Sequence, residues 1–129
     1  MDKLLQSHFL GLYCMVLADG IIEATELETL YRIGTENYGL SPEEINHAIK
    51  EAGTSFIEPQ SMRDKIRFLH DMCRIVLADN KIDESELVLL RKYVIKMGFL
   101  PEHVEEIISF MLENVKNGKS VTEILTQIQ

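Results

Sequence analysis

Six carboxylates are placed in this chain as if one pattern had been written twice. Asp19, Glu23 and Glu26 follow one apolar stretch, and Asp79, Asp83 and Glu86 follow another sixty residues later. A group of carboxylates offers only hard oxygen donors. It suits Ca2+ or Mg2+ better than Zn2+, whose sites usually include His or Cys. The same acids also have a reading that needs no ion. Glu23 and Asp83 stand where a helix N-cap would be, with Glu26 and Glu86 three residues on, the spacing of a capping box. Acids there gain about 0.3–1 kcal/mol each from the helix dipole. Asp19 and Asp79 are harder to explain in that way, because they fall at the C-terminal end of a helix, where a negative charge is unfavourable. An Asx-type bond to a downstream amide, or a bound cation, would account for both. A loop tied by such a bond would aim its carboxylates outward.

The spacing Asp19-Gly20-x-Ile22-x-x-x-Glu26, and its copy Asp79-Asn80-x-Ile82-x-x-x-Glu86, matches the second half of an EF-hand loop. The first half fails. Its ligand positions hold Met15 and Leu17, then Ile75 and Leu77, so a full EF-hand is excluded. Ile22 and Ile82 are expected to pin each loop to the core.

The duplication extends well beyond the acids. Val16–Leu30 and Val76–Leu90 are identical at eight of fifteen positions. The first helix is expected over about 4–18, with Leu5, Phe9, Leu12 and Val16 as its inner stripe. It stops at Gly20, whose place Asn80 takes in the copy. Gly and Asn are the residues that most readily adopt the left-handed conformation. A second helix runs from about 23 or 24 to 38. Ser41, Pro42 and Glu44 form a cap, a first-turn proline and a capping box for a short third helix to 51. The connection 52–61 separates the halves. Helices over about 62–78 and 84–97 then repeat the first two, and one over about 101–115 repeats the third. Asn117-Gly118 breaks the chain. Ser120 and Glu123 start a last helix whose buried side is Val121, Ile124, Leu125 and Ile128. No segment alternates with period two. The expected fold is all-α: about seven helices in one domain over residues 1–129, built as two three-helix pseudo-repeats, about 4–51 and 62–115, plus a C-terminal helix.

Composition narrows the functional classes. The 129 residues are 46% hydrophobic with a net charge of −8. This is a globular composition, and its charge repels nucleic acid. No apolar run reaches transmembrane length. Phe9–Ala18 resembles a signal-peptide core, but a matching run, Phe68–Ala78, lies in mid-chain, so the pattern belongs to the fold. Cytoplasmic location and buried, unpaired Cys14 and Cys73 are the simplest expectations. His8, His47, His70 and His103 share no spacing. Arg63, Lys65, Arg67 and Arg74 read as a solvated face of the fourth helix with partners among nearby acids. Glu102, Glu105, Glu106 and Glu113 decorate the sixth helix in the same way.

At the paired loops the chain resembles the TerB-like family, the tellurite-resistance helical domain. It is similar also to a region beside the membrane anchor of certain DnaJ-type co-chaperones. The family pattern is an apolar helix ending in Ala-Asp-Gly-x-Ile/Val-x-x-x-Glu, repeated about sixty residues on. Ala18–Glu26 matches in full, and Ala78–Glu86 matches except at Asn80. The resemblance implies two helical repeats about a pseudo-twofold axis, with their Asp-Gly loops close together. It implies divalent-cation binding by Asp19, Glu23, Glu26, Asp79, Asp83 and Glu86, and protein partners in stress response.

No nucleophile–base pair, phosphate-cradling glycine loop or Cys-x-x-Cys is present, so catalysis is not expected. The expected function is a small binding module with a weak cation site at the paired loops. The rival is a metal-independent interaction domain whose acids only cap helices. Either would act through a protein partner, without nucleic acid or membrane insertion, and both leave homo-oligomers open.

Overall fold

A computed structural model describes residues 2–53 and 56–128. Among these residues the regular structure is entirely helical. Helix α1 is Lys3–Val16, α2 Ala24–Tyr38, α3 Pro42–Glu51, α4 Met62–Val76 and α5 Glu84–Lys96. A 3-10 turn, Pro101–His103, leads into α6, Val104–Lys116, and α7 is Val121–Ile128. The sixth helix therefore begins three residues later than its pattern suggests. Thr54 and Ser55, in the connection between halves, lie outside the described residues.

The start signals are real caps. Ser41 Oγ accepts from the Glu44 amide at 3.1 Å while Glu44 Oε1 accepts from the Ser41 amide at 2.9 Å. Ser120 and Glu123 repeat that exchange at 3.1 and 2.9 Å. Gly20 and Asn80 both take left-handed backbone, φ 80° and 61°. One conformational demand has thus been met by the two residue types that tolerate it best.

The halves pack alike. Helix α1 lies on α2 and α3 as α4 lies on α5 and α6. Helix α2 touches α3 as α5 touches α6; α2 reaches α4 as α5 reaches α1, and α1 meets α4 directly. That set of pairings is the one a pseudo-twofold axis between α1 and α4 generates. Residues sixty apart are buried together, including Phe9 and Leu69, Leu12 and Met72, Val16 and Val76, and Leu30 and Leu90. Helix α7 breaks the pattern by packing on α4, burying Ile124 and Leu125. Ile128, expected inside, is exposed at the end of the helix.

Cys14 and Cys73 are both free thiols. Cys73 is fully buried, and burial pushes its thiol up to about 12, so it packs as a small apolar group.

Gly34 of α2 lies close against Ile45 of α3. A Cβ there would stand 2.2 Å from Ile45 Cδ1 and 3.3 Å from Phe9 Cε1. Both side chains are fully buried. Gly34→Ala is expected to destabilise the fold by about 1–3 kcal/mol through overpacking. Urea unfolding checks this, and Gly34→Ala combined with Ile45→Val should recover part of the loss.

Candidate functional site

The two acidic loops are built the same way. Asp19 Oδ1 accepts from the Ile21 amide at 3.0 Å, and Asp79 Oδ1 accepts from the Lys81 amide at 3.1 Å. These Asx bonds answer the unfavourable position of both aspartates at helix ends. Each leaves Oδ2 free of that bond.

The loops then diverge. Asp83 Oδ1 accepts from the Ser85 amide at 2.8 Å, and Glu86 Oε1 accepts from the Asp83 amide at 3.0 Å, a reciprocal cap. Glu23 occupies the N-cap position of α2 but makes no side-chain cap bond. The capping-box expectation therefore holds only in the second half. Ile22 and Ile82 are not core anchors; they are 53% and 48% exposed. Each loop is held by its Asx bond, and the second also by the bond from the Asp83 amide to Glu86.

Those glutamates are the centre of the site. Glu26 and Glu86 are each only 3% exposed, so the loops do not aim these carboxylates outward. They meet across the pseudo-twofold axis, close enough for each carboxyl to act on the other, with Asp19 and Asp79 near enough to act on both electrostatically. Two carboxylates cannot both ionise cheaply at such close range in a buried place. Burial first, then the hydrogen bond to Glu86 and the charges of Glu86, Asp79 and Asp19, push the Glu26 carboxyl up to about 9. Glu86 is also raised by burial, while its bonds to Glu26 and to the Asp83 amide pull the other way. Both carboxyls are thus raised, and the pair together holds a proton that a lone exposed carboxylate would release. Glu86 Oε2 is buried and has no hydrogen-bond partner among the described residues, so a proton shared with Glu26 would satisfy it.

The six predicted residues accordingly separate into two sets. Glu26, Glu86, Asp19 and Asp79 gather at the axis. Glu23 and Asp83 stay at the helix starts. No three His, Cys, Asp or Glu side chains among the described residues converge closely enough to form a ready-made metal cage.

A second polar cluster has no counterpart in the sequence patterns. His8 Nε2 lies 2.8 Å from Asp71 Oδ2, and the Tyr38 hydroxyl donates to the same oxygen at 2.6 Å. A carboxylate oxygen only accepts, so Nε2 carries the hydrogen. Asp71 is 1% exposed, and the Arg67 guanidinium lies 4.1 Å from the centre of the Tyr38 ring. Burial and Asp71 keep the Tyr38 hydroxyl protonated, as a donor. The cluster joins α1, α2 and α4. It borders a cavity of about 420 Å³ under the segment Phe56–Pro59, where Ile57 N–H donates to Ser7 Oγ at 2.9 Å. One signal was available: Asp71 interrupts the apolar run of α4 where the first half has Gly11.

These features define a class: a duplicated all-helical module whose halves meet at a buried pair of carboxyl groups. The family profile described as "Tellurite resistance protein TerB" matches residues 9–109, which span both halves and both acidic loops. The chain belongs to the TerB family. No curated protein and no solved structure matches it. No helix among the described residues is long and apolar enough to cross a membrane.

Proposed function

We propose that this TerB-family domain is a non-enzymatic binding module with a weak divalent-cation site on its pseudo-twofold axis, serving a protein partner in a stress response. The observation that carries the cation reading is the buried, facing pair Glu26 and Glu86, with one Glu86 oxygen that has no hydrogen-bond partner among the described residues unless the pair shares a proton. A cation can take that proton's place. The donor chemistry fits a hard ion. Two carboxylates without a full protein cage suit Mg2+, which keeps several of its waters, better than Ca2+, which wants six to eight oxygens. Asp19 and Asp79 would add charge around the ion. Glu23 and Asp83 would not bind it.

The absence of a three-ligand cluster among the described residues favours the second reading, in which the pair simply shares a proton and the module works without metal. A titration separates the two. After chelation, Mg2+, Ca2+ and Zn2+ are added while amide shifts and melting are followed. The cation reading expects saturable shifts around 19–26 and 79–86 together, and about 2.7 kcal/mol of added stability at a hundred times the dissociation constant. Affinity should rise with pH, because the ion must displace the Glu26 proton. Glu26→Gln should abolish binding and Asp83→Asn should not. No saturable shift at millimolar ion leaves the shared-proton reading.

A further inference from the structure

We infer that the groove between α4 and the start of α7 is a binding site for a phosphate ester. It uses none of the six acidic-loop residues and does not depend on the cation reading. Arg63, Arg67, His70 and Arg74 recur at the spacing of one helical face along α4. Lys119 and the first residues of α7 stand opposite, across a cavity of about 590 Å³. Small-ligand sites fall in this size range. The two walls are joined: His70 Nε2–H donates to the Lys119 carbonyl at 2.8 Å. Arg67 is further oriented by its stacking on Tyr38.

The charge here runs against the rest of the molecule. In a chain of net −8, four cationic side chains line this one groove, against a single lining carboxylate, Asp71. Asp71 already accepts from Tyr38 and His8. The expectation that these arginines pair with nearby acids fails. Lys65 reaches Glu58 at 3.9 Å, but among the described residues Arg63, Arg67 and Arg74 have no acid within salt-bridge distance. Like charges four apart on a helix repel, and among the described residues none of these three arginines is offset by an ion pair.

Two further facts point to a multiply charged oxyanion. The amides of Val121 and Thr122, at the positive end of α7, make no hydrogen bond among the described residues. Glu123, which caps that end, does not line the groove. A carboxylate would satisfy one guanidinium. A phosphate ester has the charge and the oxygens for several guanidinium groups and free amides at once. The site is also absent from the first half, which has Lys3, Ser7, Leu10 and Cys14 at the equivalent positions. The duplication did not supply it.

The test is an amide NMR titration of the full chain with glycerol 3-phosphate, beside sodium chloride and acetate at equal ionic strength. A parallel arm measures co-sedimentation with phosphatidylcholine vesicles containing phosphatidic acid. Saturable shifts at 63–74 and 118–122, weakened about tenfold or more in Arg63→Gln/Arg74→Gln, are expected. That variant should melt no lower than wild type, since it relieves repulsion, and Glu102→Gln should bind like wild type. Saturation by the soluble ester assigns a free metabolite; binding only to the vesicles assigns a lipid headgroup. Failure of both arms, shifts reproduced by chloride, or undiminished binding by the double variant would overturn the site.

Discussion

In chelator, the protein should become less stable as the pH is raised from 5 to 9, and Glu26→Gln should remove most of that decline. Glu26 has its folded-state value pushed up from 4.5 to about 9. The folded state therefore holds a proton that the unfolded state releases. Stability falls with pH wherever the folded state binds more protons. The contribution is whole below about pH 4.5 and is lost as the pH rises through about 9. Glutamine at position 26 keeps the shape and offers an N–H to Glu86 Oε2 at every pH. It should be the more stable protein at pH 8, by a few kcal/mol, and equal to wild type near pH 5. Thermal melts of both proteins across this range decide the matter. Parallel curves would mean that the two carboxyls do not share a proton.

Asp71→Ala should cost about 2–4 kcal/mol, among the largest effects of any single polar substitution in this chain. The change removes the acceptor of two side chains at once, leaving the Tyr38 hydroxyl and the His8 Nε2–H facing each other 3.0 Å apart with only one able to accept. It also empties a place buried among the helices. For a domain of this size the melting temperature should fall on the order of 10 °C. Tyr38→Phe removes one donor and leaves Asp71 bonded to His8, so it should cost about 1 kcal/mol. Chemical denaturation of both variants gives the order. A loss below 0.5 kcal/mol for Asp71→Ala, about the size of an ordinary surface change, would show that the cluster is not structural.

The helical frame was legible because its signals are local. Ser41, Pro42 and Glu44 announce a helix within four residues, and Gly20 with Asn80 announces a repeated left-handed turn. The Asx bonds of Asp19 and Asp79 follow from the same short-range logic. The centre of the site was not legible, because it forms between segments sixty residues apart. Glu86 at the third position of α5 satisfies a cap and a buried pair together, and the sequence displays only the cap. Glu26 shares that spacing and makes no cap at all. Ile22 and Ile82 looked like anchors by hydrophobicity alone, yet a loop held by carboxylates leaves them in water. The arginine stripe was visible as one face of α4. Its lack of acid partners depends on where α7 docks, which no local pattern records.

The meeting of Glu26 with Glu86 has a consequence for how such a domain could have arisen. In a symmetric dimer, an isologous contact sets each residue on the axis against its own copy. A glutamate there would face itself, and two separate chains would associate only as strongly as protein concentration and acidity allowed. Joined in one polypeptide, the two carboxyls are held at a fixed effective concentration. Their shared proton becomes independent of dilution, and acidity then adjusts how tightly two halves that already share a core are held together.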